Sequence, residues 1–232
     1  MMKIGIMQPY FFPYIGYFQL IEAVDEFVFY DDVQFINSGW INRNRILINN
    51  EAKMITVPLA NASYKKLINE IPLLPKTKYK ILTSIELAYK KAPNFETVFP
   101  LISEVIATDY KMISELSTAS VMCVSQYLDL KTRFHISSQS FANSAQLKKE
   151  NRLYDICAQT KATTYINTIG GKSLYNKQDF ANRNIQLYFT EPNSINYKQW
   201  GNNFIPWLSI IDVMMFNTKA EIKQMLSNYK IT

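Results

Sequence analysis

The first thirty or so residues constrain the fold more than any other part of the chain. Lys3 to Met7 is a short apolar run that reads as a buried strand. Gln8 to Tyr14 places two prolines among aromatic residues, so this segment is a structured loop and not a helix. Gly16 to Val24 then sets Phe18, Ile21 and Ala23 or Val24 at helical spacing. Asp25 and Glu26 end that helix, and Phe27 to Tyr30 reads as a second strand that delivers Asp31 and Asp32 at its end. Strand, loop, helix and strand in so short a span make a βαβ unit, with parallel strands and a right-handed crossover.

The rest of the chain extends that plan. Arg45 to Asn50, Ala52 to Leu59 and Leu67 to Leu74 read as short strands separated by turn residues, a β-rich insertion over about residues 45–75. A helical segment follows over about 76–130, with Pro93 and Pro100 as breaks and Thr108 or Asp109 as a cap. Thr132 to Ile136 is a predicted strand, and Ala145 to Gln159 a helix. Thr163 to Thr168 and Ile185 to Phe189 are further strands, and Trp207 to Phe216 and Lys219 to Tyr229 are helices. Strands alternating with helices predict an α/β fold, a mostly parallel, Rossmann-like sheet flanked by helices. The expected organisation is a single domain over residues 1–232.

Composition removes several classes. Hydrophobic residues make up 48% and charged residues 19% of the 232 positions, which excludes a disordered chain. The net charge of +6 is spread along the sequence, without the dense basic stripe of a nucleic-acid binder, and suits a phosphorylated small molecule. No apolar run is long enough to span a bilayer, and no secretory signal opens the chain, so the expected compartment is the cytoplasm. One histidine and two distant cysteines, Cys123 and Cys157, do not make a zinc site.

Candidate site residues gather near the first βαβ unit, where open α/β sheets bind ligands beyond the ends of their strands. Gln8, Pro9 and Phe12 belong to a loop that either lines such a site or packs into the core. Asp31 and Asp32 face opposite ways on their strand, so one of them can reach a crevice to hold a hydroxyl or a metal, or to act as a base. The other reading for both is strand termination and capping. Gln34 shares a face with Asp32. Trp40, Asn42, Arg43 and Asn44 form the densest polar–aromatic cluster, with Arg43 as the natural clamp for a phosphate. Gly170, Gly171 and Lys172 follow a strand and can present amides and a cation to an anion, or make a simple turn. They do not form a Walker A loop, because the position five before Gly171 is Ile166. His135 is either a general base or a satisfied structural imidazole, and Asp212 is a carboxylate inside an apolar helix.

The segments MQPYFFPYIGYFQLI, FVFYDDVQF and WINRNRI, with the later YINTIGGKSLY and FIPWLSIIDVMMFN, resemble the WbqC-like family of bacterial proteins over nearly the whole chain. That resemblance implies a place in O-antigen and surface-polysaccharide biosynthesis, making or decorating an activated sugar; a transferase acting on a nucleotide-activated amino sugar, with acyl or aminoacyl transfer among its reactions, fits that setting. Tyr14, Gly16 and Tyr17 also occupy the strand–loop–helix position where nucleotidylyl transferases carry His-x-Gly-His, and Ser137 and Ser138 resemble their serine-rich turn beside a phosphate. Tyrosine stands at both histidine positions, and it donates a hydrogen bond without positive charge at neutral pH. That departure implies the alternative, a non-catalytic nucleotide- or sugar-binding protein on a degenerate scaffold of that kind.

Overall fold

The computed structural model describes residues 1–74 and 78–232. Strand β1 (Lys3–Met7), helix α1 (Ile15–Glu22) and strand β2 (Glu26–Phe29) form the expected parallel unit, with Ile4 opposite Glu26 and Met7 opposite Phe29. Strand β3 (Arg43–Ile48) and strand β4 (Glu51–Thr56) form a separate antiparallel hairpin. Helices α2 (Lys78–Tyr89), α3 (Phe95–Ala107) and α4 (Ile113–Tyr127) lead to strand β5 (Arg133–Ile136), which pairs in parallel with β2. Short α5 (Ser137–Ser140), helix α6 (Glu150–Gln159) and strand β6 (Thr164–Thr168) follow, and β6 pairs in parallel with β1. Helix α7 (Lys177–Ala181), strand β7 (Gln186–Pro192), helices α8 (Ile210–Phe216) and α9 (Lys219–Leu226) and strand β8 (Tyr229–Ile231) complete the chain. The sheet runs β5-β2-β1-β6-β7-β8, parallel except for the last pair.

Both faces of this sheet are covered, as a parallel sheet requires. Alternation along the strands sends Phe27, Phe29 and Ile166 into one apolar layer with Phe18, Leu20 and Val121. It sends Ile4, Ile6, Val28 and Tyr165 into a second layer with Leu153, Ile156 and Phe180. Truncating a buried ring such as Phe27 to alanine costs about 3–5 kcal/mol. Among the described residues no helix is long and apolar enough to cross a membrane.

Several local expectations are corrected. Leu67 to Leu74 is not a strand: Ile68–Glu70 is a 3-10 turn, and Leu67 and Leu73 make only isolated bridges. The boundary expected between insertion and helical segment, near residues 75–76, lies outside the described residues. Pro100 does not break α3 but sits inside its first two turns. Thr108 closes α3, while Met112 opens α4, with the Glu115 carboxylate taking the amide hydrogens of Lys111 and Met112. Glu26 does not stop α1; it is a buried residue of β2. The last helix ends at Leu226, and Tyr229 begins a strand on the sheet edge.

Candidate functional site

Strand order places the site. From β1 the chain builds outward through β2 to β5 on one side and later through β6 to β8 on the other. The direction of winding therefore reverses between β1 and β6, and the splayed loops beyond that point leave a crevice. A cavity of about 790 Å³ lies there, lined by Gln8 from the end of β1, Tyr30 from the end of β2, and Asn167 and Thr168 from β6. Tyr14, Gly16 and Tyr17 at the start of α1, with Trp40, Asn44, Arg45 and Trp207, complete the lining. Its size falls within the range of small-molecule sites.

The proline–aromatic loop is held in a strained shape. Phe12 is fully buried with φ of 40°, a conformation disfavoured for a bulky side chain. Three side chains hold it: its N–H donates to Ser120 Oγ (3.0 Å), and its carbonyl accepts from Asn44 Nδ2 (2.7 Å) and Ser209 Oγ (2.6 Å). Phe12 is thus an anchor of the loop and does not line the cavity, and Pro9 is buried behind the lining as well. The loop delivers Tyr10 beside Tyr17 of α1, their rings 5.5 Å apart, and the Tyr17 hydroxyl donates to the Gln8 carbonyl at 2.8 Å. Burial pushes both phenols above their usual range, so they stay protonated donors. Helix α1 begins at Tyr14 with no side-chain cap. A Cβ on Gly16 would stand 3.0 Å from Pro192 Cγ and 3.2 Å from the Tyr14 ring, so the close approach of α1 to β7 needs glycine.

The acidic pair is turned away from the cavity. Asp31 accepts from the Ser138 amide (2.9 Å) and hydroxyl (2.6 Å), capping the turn after β5, and burial raises its carboxyl above the ordinary value. Asp32 forms an ion pair with Arg152, whose guanidinium also donates to Ser137 Oγ (3.0 Å) and stacks on the Tyr30 ring at 4.9 Å. Ser137 and Ser138 are committed to these contacts. His135 faces Glu26 at 3.3 Å on β5, away from the cavity. Gln34 is exposed and meets the site only through its carbonyl, which accepts from Gln8 Nε2 at a long 3.5 Å.

The hairpin side behaves differently. Arg43 closes its own loop, donating to the Gly39 carbonyl (3.0 Å) and to the Ser38 carbonyl, and Asn42 donates to the Val57 carbonyl. The arginine on the cavity wall is Arg45. It donates to the Trp207 carbonyl (2.9 Å) and lies 5.7 Å from the Trp40 ring, while its buried Nε has no partner among the described residues. Gly170 and Gly171 line the cavity from the turn after β6, with Asn167 packed where a Cβ on Gly171 would sit, and Lys172 points to solvent outside it.

Of the residues singled out from sequence, the cavity thus gathers Gln8, Tyr14, Gly16, Tyr17, Trp40, Asn44, Gly170 and Gly171. It adds Tyr10, Tyr30, Arg45, Asn167, Thr168, Tyr175 and Trp207, which the sequence reading did not select. Arg45 shares the strand face of Arg43, so alternation alone cannot rank the two. Asn167 and Thr168 carry no signal until β6 is known to lie beside β1.

Fold and cavity define a mostly parallel α/β protein with a small-molecule crevice at the reversal of its strand order. The model of the WbqC-like protein family matches residues 8–224, and the chain belongs to that family. An uncharacterized protein of Mycobacterium tuberculosis is 30% identical over 226 residues, covering 95% of this chain and 96% of that protein. No solved structure matches the chain.

Proposed function

We propose that the protein is a transferase that holds a nucleotide-activated sugar in this cavity, in the assembly of surface polysaccharide. Arg45 carries the reading. A buried guanidinium donor left without a partner costs about 1–3 kcal/mol, and an anionic ligand removes that cost. Phosphate oxygens match the guanidinium fork, and Arg45 is the one cation in the lining among the described residues. One cation among aromatic walls suits a ligand that joins flat ring, phosphate and sugar better than it suits a bare polyphosphate. The lining has neither carboxylate nor histidine among the described residues, so transfer here rests on positioning and on hydrogen bonds from protonated tyrosines.

A second reading, a non-catalytic binder of the same ligand, is favoured by the commitment of Asp31 and Asp32 to internal partners. A thermal-shift screen of nucleotide sugars, followed by a turnover assay with acyl and aminoacyl donors, separates the two. Stabilisation with turnover supports the transferase, and stabilisation without it supports the binder. In either case Arg45→Ala weakens the stabilising ligand by about 2–3 kcal/mol in titration calorimetry. Undiminished affinity in that variant, or no nucleotide sugar that stabilises the protein, rejects the proposal.

A further inference from the structure

The unused binding capacity of the cavity is divided in space. On its outer wall two of the protein's three tryptophans are exposed, Trp40 by 39% and Trp207 by 56%, and both line the cavity. One guanidinium joins them: Arg45 lies 5.7 Å from the Trp40 ring and donates to the Trp207 carbonyl. Trp207 is held with φ of 61°, and its ring lies 5.0 Å from that of Tyr14. An indole kept in a strained backbone conformation with its face in water is arranged to meet a flat partner.

The floor is different. Gln8 and Thr168 stand at the ends of the neighbouring strands β1 and β6, with Tyr10 on the loop from β1 to α1. The Gln8 amide makes one long hydrogen bond (3.5 Å). Neither the Tyr10 nor the Thr168 hydroxyl has a hydrogen-bond partner among the described residues. These are spare donors and acceptors in a half-buried place, and they match a ring bearing several hydroxyls.

We infer that the cavity is directional, taking a nucleobase against Trp40 and Trp207, a phosphate at Arg45 and the sugar hydroxyls at Gln8, Tyr10 and Thr168. The inference rests on the proposed binding of a nucleotide-activated sugar and adds which end of it enters first. It has a consequence for selectivity. A base lying on indole faces at the mouth is recognised by stacking, which tolerates any base, whereas the sugar is read by hydrogen bonds. The site therefore discriminates among sugars and is permissive toward bases.

Titration calorimetry on the full chain with UDP, ADP, UDP-glucose and glucose 1-phosphate tests this. UDP and ADP are expected to bind within about tenfold of each other. Trp207→Ala and Trp40→Ala each weaken UDP and UDP-glucose about tenfold and leave glucose 1-phosphate unchanged. Thr168→Val weakens UDP-glucose and glucose 1-phosphate but not UDP. Should Trp207→Ala fail to fold, Trp40→Ala decides the matter alone. Tryptophan variants that weaken glucose 1-phosphate and spare UDP reverse the direction and overturn the inference. UDP-glucose bound equally well by wild type and both tryptophan variants also overturns it while leaving the proposed function standing. Failure of all four ligands to bind rejects both.

Discussion

Two arginines flank the crevice, and the protein treats them in opposite ways. Arg152, packed behind Tyr30, has Asp32 as counter-ion, donates also to the Ser137 and Ser144 hydroxyls and the Asp32 carbonyl, and carries an aromatic ring on its face. Arg45, on the cavity wall, has among the described residues no carboxylate partner, one carbonyl, and a buried Nε with nothing to bind. Arg152 is buried and Arg45 half-buried with its Nε shut off from water, so both need compensation. The first is compensated from within the chain and belongs to the structure. The second is left open, which is the arrangement a binding site requires.

The largest expected effect is on the closed side. Arg152→Ala leaves Asp32 as an uncompensated buried carboxylate whose Oδ1 has no hydrogen bond among the described residues, and unfolding by denaturant is expected to show a loss of about 3–5 kcal/mol. Arg45→Ala, measured the same way, is expected to cost less than about 1 kcal/mol, because it removes a charge that the fold does not pair. Equal losses at the two positions would mean that Arg45 is structural after all.

A smaller effect tests how the open wall is held up. The segment between β7 and α8 carries Trp207 and is pinned by one carboxylate: Asp212, fully buried, accepts from the hydroxyls of Tyr197 (2.6 Å) and Tyr89 (2.8 Å) and from Gln199 Nε2 (2.7 Å). A carboxylate inside an apolar helix needs partners, and among the described residues those of Asp212 are neutral donors with no cation among them. Asp212→Asn sets an amide N–H against the Gln199 donor and is expected to cost about 1–3 kcal/mol. Burial raises the Asp212 carboxyl above its ordinary 3.8, so the folded state holds this proton more tightly than the unfolded chain does. Its contribution to stability is complete below about pH 4 and is lost as pH rises through the raised value. Melting temperatures across that window should therefore fall with pH more steeply in wild type than in Asp212→Asn. Parallel profiles would show that the carboxyl is not perturbed.

The contrast between the walls also explains what sequence could reveal. The βαβ unit was legible because the period of apolar residues and the two loop prolines act locally. The mostly parallel sheet followed from alternation of strands and helices. The cavity was half legible: Gln8, Tyr14, Gly16 and Tyr17 follow directly from β1, so their placement needs no tertiary information. Asp31 and Asp32 carry the chemistry of a site, but whether their charges are spent internally depends on Ser138 and Arg152, more than a hundred positions away, whereas Arg43 is spent on the nearby Ser38 and Gly39 carbonyls. Arg152 itself lies in an ordinary amphipathic helix. Thr168 and Trp207 become site residues only through strand order and a strap fixed by Asp212, which no local pattern encodes.

The smallest expected effect lies where the two walls meet at α1. Gly16→Ala removes a poor helix former, a gain of about 1 kcal/mol in an exposed helix. Here the new methyl would stand 3.0 Å from Pro192 Cγ and 3.2 Å from two carbons of the Tyr14 ring. Pro192 is a rigid ring at the end of β7, so the tyrosine is the group that must move, toward a Trp207 ring already 5.0 Å away. The steric cost and the propensity gain oppose each other, and the melting temperature is expected to change by only a few degrees. Affinity for UDP-glucose should fall severalfold, because the displaced Tyr14 enters the space beside Arg45 and Trp207. A variant with a higher melting temperature and unaltered affinity would show that this glycine serves the helix alone, and would leave Tyr14 outside the binding wall.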